Sequence, residues 1–276
     1  GMGKTAFVVS VARNAAVDFG KGVAIFSLEM SSVQLVTRLI SSESEIVSEK
    51  IRKGDLMDAE WEILRVRTEK LAEAPIFIDD TPSLSIFDFK AKARRLKSQH
   101  NIELIIVDYL QLMKGDDKNI GNREQEISYI SRNLKALAKE LDIPVIALAQ
   151  LSRGAERREN NKPQLSDLRE SGSIEQDADM VGFIYRGEYY GITEDEHGNP
   201  THGTGELIIQ KHRNGPTDTI RLRYQGEFTK FSNLNDSFIH DSFSFTDRGE
   251  TGSYIVSSKM NDLHLPPDDD LISPPF

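Results

Sequence analysis

Three consecutive residues near the start of the chain, Gly3, Lys4 and Thr5, are of the types that hold a phosphate. A glycine lets the backbone approach an anion with no Cβ in the way. A lysine reaches β- and γ-phosphates, and a threonine hydroxyl holds Mg²⁺. The stretch Gly1-Met2-Gly3-Lys4-Thr5 fits the end of the loop G-x-x-x-x-G-K-[ST], so Gly1 also belongs to the expected cradle. A helix predicted over residues 5–19 would turn its positive N-terminal end to the anion. A bare Gly-Lys-Thr also arises by chance; the residues that follow in order are what make it informative.

Three polar residues each follow an apolar run: Glu29 after VAIFSL, Asp108 after LIIV, and Gln150 after the run 145–149. Asp108 fits a carboxylate acting on Mg²⁺, directly or through water, opposite Thr5; it also fits a helix cap or a solvent-facing aspartate. Glu29 fits the base that orients water for attack on a γ-phosphate, or an acid stabilised at a helix N-terminus. Gln150 fits a γ-phosphate sensor that passes a signal into the loop after it, or a polar strand end. Phosphoryl transfer rests on positioning and charge neutralisation, so one carboxylate, one metal and one lysine suffice at its centre.

The elements that must position these groups alternate. Apolar runs at 23–28, 76–78, 104–107 and 145–149 read as buried strands. Between them lie amphipathic helices: one started by Ser31 with Gln34 at the capping-box position, one over 58–73, one opened by Ser85 with Asp88, and a long one capped by Asn122 and Gln125 and stopped by Pro144. This predicts a mostly parallel sheet with helices on both faces. The three polar residues then lie at the carboxyl edge, where open α/β sheets bind ligands. Residues 151–173 form a long polar loop of the kind that is functional or disordered. A strand at 180–185 follows, then an acidic, turn-rich hairpin or insertion over 187–205. Residues 207–210, 220–224 and 228–231 read as antiparallel strands at the sheet edge, with Asn214-Gly215-Pro216 turning between the first two. From 236 the pattern dissolves into Ser, Asp and Pro, which reads as a disordered tail.

Composition sets limits. The length of 276 residues suits one large α/β domain with an appendage. No run is apolar enough to cross a membrane and no secretory signal is visible, so a cytoplasmic protein without a membrane partner is expected. The absence of cysteine excludes disulfides and thiolate metal sites, and the six histidines lack ligand spacing. The net charge is −10, but residues 236–276 carry eight acids and two bases, leaving only −4 on the rest. A basic strip of Arg153, Arg157, Arg158, Lys162 and Arg169 can still meet a phosphate backbone. The first glycine of the loop motif falls upstream of Gly1. The chain therefore reads as a fragment of a longer one, or as a tag scar ahead of an initiator Met2.

The pieces GMGKT, FSLEMSSVQLVTR, LIIVDYLQLM, ALAQLSR, LSDLRESGSIEQDAD and KHRNGP occur in this order. Together they resemble the C-terminal motor domain of the bacterial replicative DNA helicases of the DnaB type. The resemblance implies a RecA-like P-loop NTPase fold over 1–235, with 236–276 as an acidic tail. It implies an ATP- and Mg²⁺-dependent helicase motor, working as a homo-hexameric ring on single-stranded DNA at the replication fork, with a primase and a helicase loader as partners. By position it assigns Lys4 and Thr5 to phosphate and metal, Glu29 to the base, Asp108 to the metal carboxylate, Gln150 to the sensor and Arg38 to nucleotide contact. Lys211 and Arg213 match residues that reach a neighbouring subunit's ATP; from sequence alone they are ordinary exposed charges. Arg169, Glu170 and Gly172 match the DNA-contacting loop; without the resemblance they read as a solvated loop.

Two other readings stay open: a RecA-like recombination or repair ATPase forming filaments, and a non-catalytic assembly module that binds nucleotide without turnover. The tail ends in Asp268-Asp269-Asp270 and an apolar tip at Phe276. It fits a partner-docking peptide, an autoinhibitory strand over the DNA path, or a solubilising appendage.

Overall fold

The structure, a computed structural model, describes residues 2–115, 121–151 and 161–235, with backbone alone at 169–173. Gly1, Arg153, Arg157, Arg158 and the tail 236–276 lie outside the described residues. Four parallel strands, β1 (Val23–Ser27), β2 (Ile76–Asp79), β3 (Leu104–Asp108) and β4 (Val145–Ala147), lie in the order β2-β1-β3-β4. β1 and β3 are buried along their whole length, as their unbroken apolar runs require.

The period of two divides those strands between two cores. Ala24, Phe26, Ile105 and Val107 face one side, with Phe89 of α5 (Ile86–His100) and Ile130, Leu134 and Leu137 of α6 (Arg123–Leu141). Val23, Ile25, Leu104 and Ile106 face the other, with Val8 and Val9 of α1 (Lys4–Arg13) and Leu35 and Leu39 of α2 (Ser32–Ser44). Phe26 and Phe89 meet edge to face at 4.7 Å, both fully buried. Truncating either to alanine should cost about 3–5 kcal/mol.

Helix ends follow the sequence signals. The Ser31 hydroxyl accepts from the Gln34 N–H, and the Gln34 side chain accepts from the Ser31 N–H, a complete capping box. The Asp80 carboxylate adds a second acceptor at the Ser32 N–H, 2.7 Å away. Ser85 accepts from the Asp88 N–H, and Asn122 accepts from the Gln125 N–H. Each such cap is worth about 1 kcal/mol. α6 ends one residue before Asp142, which adopts the left-handed conformation. α3 (Ser48–Lys53) was not anticipated; α4 (Asp58–Glu73) packs on α2.

Several boundaries differ from the expected runs, three of them with a local feature beside them. The first helix is regular only to Arg13 and widens into a π turn over Asn14–Asp18. The Arg13–Asp18 ion pair spans that turn's own five-residue repeat. β4 stops at Ala147 because the Leu148 carbonyl is taken by the Leu110 N–H. The last strand, β8 (Lys230–Asn233), begins later than expected because a tight turn, Gly226–Phe228, and a left-handed Thr229 precede it.

The C-terminal half of the described chain forms a four-stranded antiparallel sheet in the order β5 (Met180–Tyr185), β6 (Thr204–His212), β7 (Asp218–Gln225), β8. The antiparallel strands thus ladder with the strand at 180–185. The 187–205 insertion contains a small hairpin closed by a Glu194–Pro200 bridge. Asp195 holds it: its carboxylate accepts from the Asn199 and His197 N–H groups, which with the Asn199 side chain lower its pKa to about 2. β8 is fastened to α1, where the Phe231 N–H donates to the buried Ser10 hydroxyl at 3.0 Å.

Candidate functional site

Gly3 precedes α1 with φ 94° and ψ 25°, a left-handed conformation natural to glycine. A Cβ there would also come within 3.2 Å of the Phe231 ring. No side chain caps the N-terminus of α1, so its first N–H groups face the cleft in front of it.

That cleft, of about 420 Å³, is lined by Gly3, Lys4, Thr5, Glu29, Arg38, Asp108 and Gln150. These are all the nucleotide-site residues expected from sequence except Gly1. They come from the start of α1, the turn after β1, α2 and the ends of β3 and β4. The turn carrying Glu29 is set by the buried Ser27, whose hydroxyl donates to the Met30 carbonyl and accepts its N–H. Gln150 is placed by Gln111, whose amide donates to the Gln150 carbonyl and accepts the Gln150 N–H, at 3.0 and 3.1 Å. Sequence reasoning did not single out Gln111 or Ser27.

The Thr5 hydroxyl donates to Asp108 Oδ2 at 2.8 Å. Burial pushes the Asp108 carboxyl above its ordinary range; the Thr5 bond opposes this and the Glu29 charge adds to it. Burial pushes Lys4 below its ordinary range, against the pull of Asp108 and Glu29. Both groups therefore lean towards neutrality in the free chain. A phosphate beside Lys4 and a divalent cation beside Asp108 would each restore the charged form. The donor set suits Mg²⁺: a hydroxyl and one carboxylate, both hard oxygens, with no cage of three or more carboxylate or histidine ligands among the described residues.

Tyr224 and Thr229 of the antiparallel sheet also line the cleft. The Arg186 guanidinium lies over the Tyr224 ring at 3.9 Å, and Phe231 packs beside it at 4.7 Å. Nothing in the sequence pattern marks this aromatic group, because Tyr224 reads as one alternating residue of a strand.

Lys211 and Arg213 do not line this cleft. They lie at the end of β6 against α7 (Gly172–Asp177). The Lys211 ammonium donates to the Glu175 carbonyl, and the Arg213 guanidinium to the Gln176 carbonyl and the Asp179 carboxylate. Cations at a helix C-terminus satisfy carbonyls that have no partner within the helix. Arg169 and Glu170 fall in the tight turn Leu165–Ser171, and Gly172 begins α7; their side chains lie outside the described residues.

A parallel sheet whose carboxyl edge meets a Gly-Lys-Thr loop, a carboxylate at the end of β3 and a glutamine beyond β4 defines a RecA-like P-loop ATPase domain. The chain belongs to the DnaB-like helicase C-terminal domain family, whose model matches residues 1–233. It is 48% identical to the replicative DNA helicase DnaB of Geobacillus stearothermophilus over 237 residues, covering 86% of this chain and 51% of that protein. It is 47% identical to the replicative DNA helicase DnaC of Bacillus subtilis, with the same coverage. Among solved structures it resembles one described as an ATPase domain, with TM-score 0.78, 38% identity, and 85% and 81% of the two chains covered. It also resembles a DnaB-like replicative helicase described with its interactions with primase, with TM-score 0.78, 39% identity, and 85% and 55% covered. The chain spans about half the length of the curated relatives it matches. Among the described residues no helix is long and apolar enough to cross a membrane.

Proposed function

We propose that this chain is the motor domain of an ATP-driven replicative DNA helicase that works as a homo-hexameric ring on single-stranded DNA. The observation that carries the reading is the split between two groups of residues. Seven expected residues converge on one cleft, while Lys211 and Arg213 sit outside it. Two further expected cations standing outside the cleft that gathers the others is what a site shared between subunits requires.

In this reading the first N–H groups of α1 and the Lys4 ammonium bind the β- and γ-phosphates. Thr5 and Asp108 hold Mg²⁺, which neutralises phosphate charge when bound. Arg38 contacts the nucleotide, and Tyr224 offers a face to the base. Glu29 orients a water and takes its proton as the water oxygen attacks the γ-phosphorus and ADP leaves. Arg213 of one subunit stabilises the charge spread over the γ-oxygens at the next. Gln150 senses the γ-phosphate. Arg169, Glu170 and Gly172 touch the DNA backbone, giving affinity without sequence preference. The motor comprises 1–235, and 236–276 is a separate acidic tail; a primase and a loader are the expected partners.

The test is electron microscopy with ATP and single-stranded DNA, together with ATPase assays, on a full-length protein carrying these residues. Closed six-fold rings with DNA-stimulated hydrolysis that Lys4→Ala abolishes are expected. Helical filaments would favour a recombination ATPase, and nucleotide binding without turnover would favour an assembly module.

A further inference from the structure

Strand β6 grips the segment before β5 at both ends. At the start of the segment, the Gln210 amide N–H donates to the Pro163 carbonyl at 2.9 Å, and its oxygen accepts the Leu165 N–H at 3.1 Å. At the end, Lys211 and Arg213 hold the carbonyls of α7, and the Arg213 N–H donates to the Asp179 carbonyl at 2.8 Å. Between these grips, Leu165 and Leu168 pack with Val181, Phe183 and Ile208 in a small separate core. Ala149 and Leu151, on either side of Gln150, pack on the same core.

Gln210 differs from its neighbours in kind. It is a neutral amide whose donor and acceptor are both spent on backbone groups two residues apart, so it extends the β6 hydrogen-bonding pattern sideways into the segment. Its side chain bonds neither the nucleotide cleft nor α7. These bonds join the start of the turn that carries residues 169–171 to the strand that carries Lys211 and leads into Arg213.

We propose that Gln210 is a positioning residue that couples the DNA-contacting segment to the two cations offered to a neighbouring subunit. The inference rests on the helicase reading above. Load on the segment reaches Arg213 along three residues of one strand. Loss of the Gln210 bonds removes two direct hydrogen bonds from β6 to the start of the segment and leaves in place its apolar packing and the Lys162 ion pairs with Glu196 and Glu206. Gln210→Leu removes both bonds at similar size. Gln210→Glu keeps the acceptor for Leu165 and sets an oxygen against the Pro163 carbonyl, so it retains one bond.

The experiment uses the full-length assembly and an oligo(dT) single strand. Hydrogen exchange at the Lys211–Arg213 amides is followed with and without DNA; DNA affinity and ATPase rate are measured in parallel. The expected result has four parts. DNA changes exchange at Arg213 in the wild type. Gln210→Leu abolishes that response and cuts DNA stimulation of kcat at least about five-fold, within the range of ordinary coupling energies. Basal kcat and DNA affinity stay within about two-fold, well under one interaction's worth. Gln210→Glu falls between. An exchange response that survives in Gln210→Leu, or is absent from DNA-bound wild type, overturns the inference. So does a loss of DNA affinity parallel to the loss of stimulation, which marks a merely structural role. A wild type whose ATPase ignores DNA, while the exchange response is present and needs Gln210, overturns the helicase reading and leaves the coupling intact.

Discussion

Thr5 and Asp108 stand 103 residues apart in sequence and 2.8 Å apart as hydroxyl donor and carboxylate acceptor. The contact joins the phosphate loop to the end of the central strand. It also shows the two oxygens already gathered where one cation can use both.

This contact has a pH signature. Burial raises the Asp108 pKa, so the folded chain binds its proton more tightly than the unfolded chain does. Ionising Asp108 therefore costs stability as pH rises through the folded pKa, and the protonated form stabilises the fold below it. A cation needs the ionised form, so its binding expels a proton wherever Asp108 is still protonated. Mg²⁺-nucleotide affinity should fall as pH is lowered towards the carboxylate range, and Asp108→Asn should weaken binding and flatten that dependence. Calorimetry in buffers of different ionisation heat measures the proton release; equal release by wild type and variant would refute it.

Arg213→Ala should abolish DNA-stimulated hydrolysis in the full-length assembly and leave nucleotide binding within about two-fold, because the arginine lies outside its own chain's cleft and would act on transition-state charge at another site. Mixed wild-type and variant rings should lose activity faster than the wild-type fraction falls. Loss in simple proportion would end the trans assignment.

Arg169→Ala should weaken single-stranded DNA binding alike for all sequences and lower the salt slope by about one counterion. Titrations of several oligonucleotides at three salt concentrations suffice. A changed base preference would count against a phosphate contact.

Ser10→Ala tests how the antiparallel sheet is mounted. The buried Phe231 N–H would lose its acceptor, a loss of about 1–3 kcal/mol. A fall in Tm of several degrees is expected, with ATP affinity also reduced because Tyr224 and Thr229 sit beside Phe231. An unchanged Tm would show that another acceptor takes the bond.

The sequence made the parallel sheet legible because its signals are local. Unbroken apolar runs mark doubly covered strands, and Ser31, Ser85 and Asn122 mark helix starts through bonds three residues away. The cleft was legible for the same reason: Glu29, Asp108 and Gln150 all follow apolar runs, at or just beyond strand ends. What escaped is non-local. The spacing of 204–212 does not say that it pairs with 180–185, so neither the Gln210 grip nor the seat of Lys211 and Arg213 on α7 could be read. Tyr224 entered the cleft through sheet pairing, not motif. The turn before β8 was missed because Thr229 gives no hint of a positive φ.

The fastening of β8 to α1 has a geometric consequence. It brings Tyr224 of β7 and Thr229 of the turn before β8 to the chain's own cleft, at the end of the sheet opposite to the end of β6 that carries Lys211 and leads into Arg213. Tyr224 sits beside the start of β6 and Lys211 seven residues further along it, so at about 3.4 Å per residue the spacer between these two functions is a length of β6 of about 24 Å. In a ring built as proposed, each such spacer would stand between two successive nucleotides. It has a different occupant at each end, so it is polar in the sense of an arrow. Six arrows closed head to tail would give a circuit with a handedness, set by the direction of one strand.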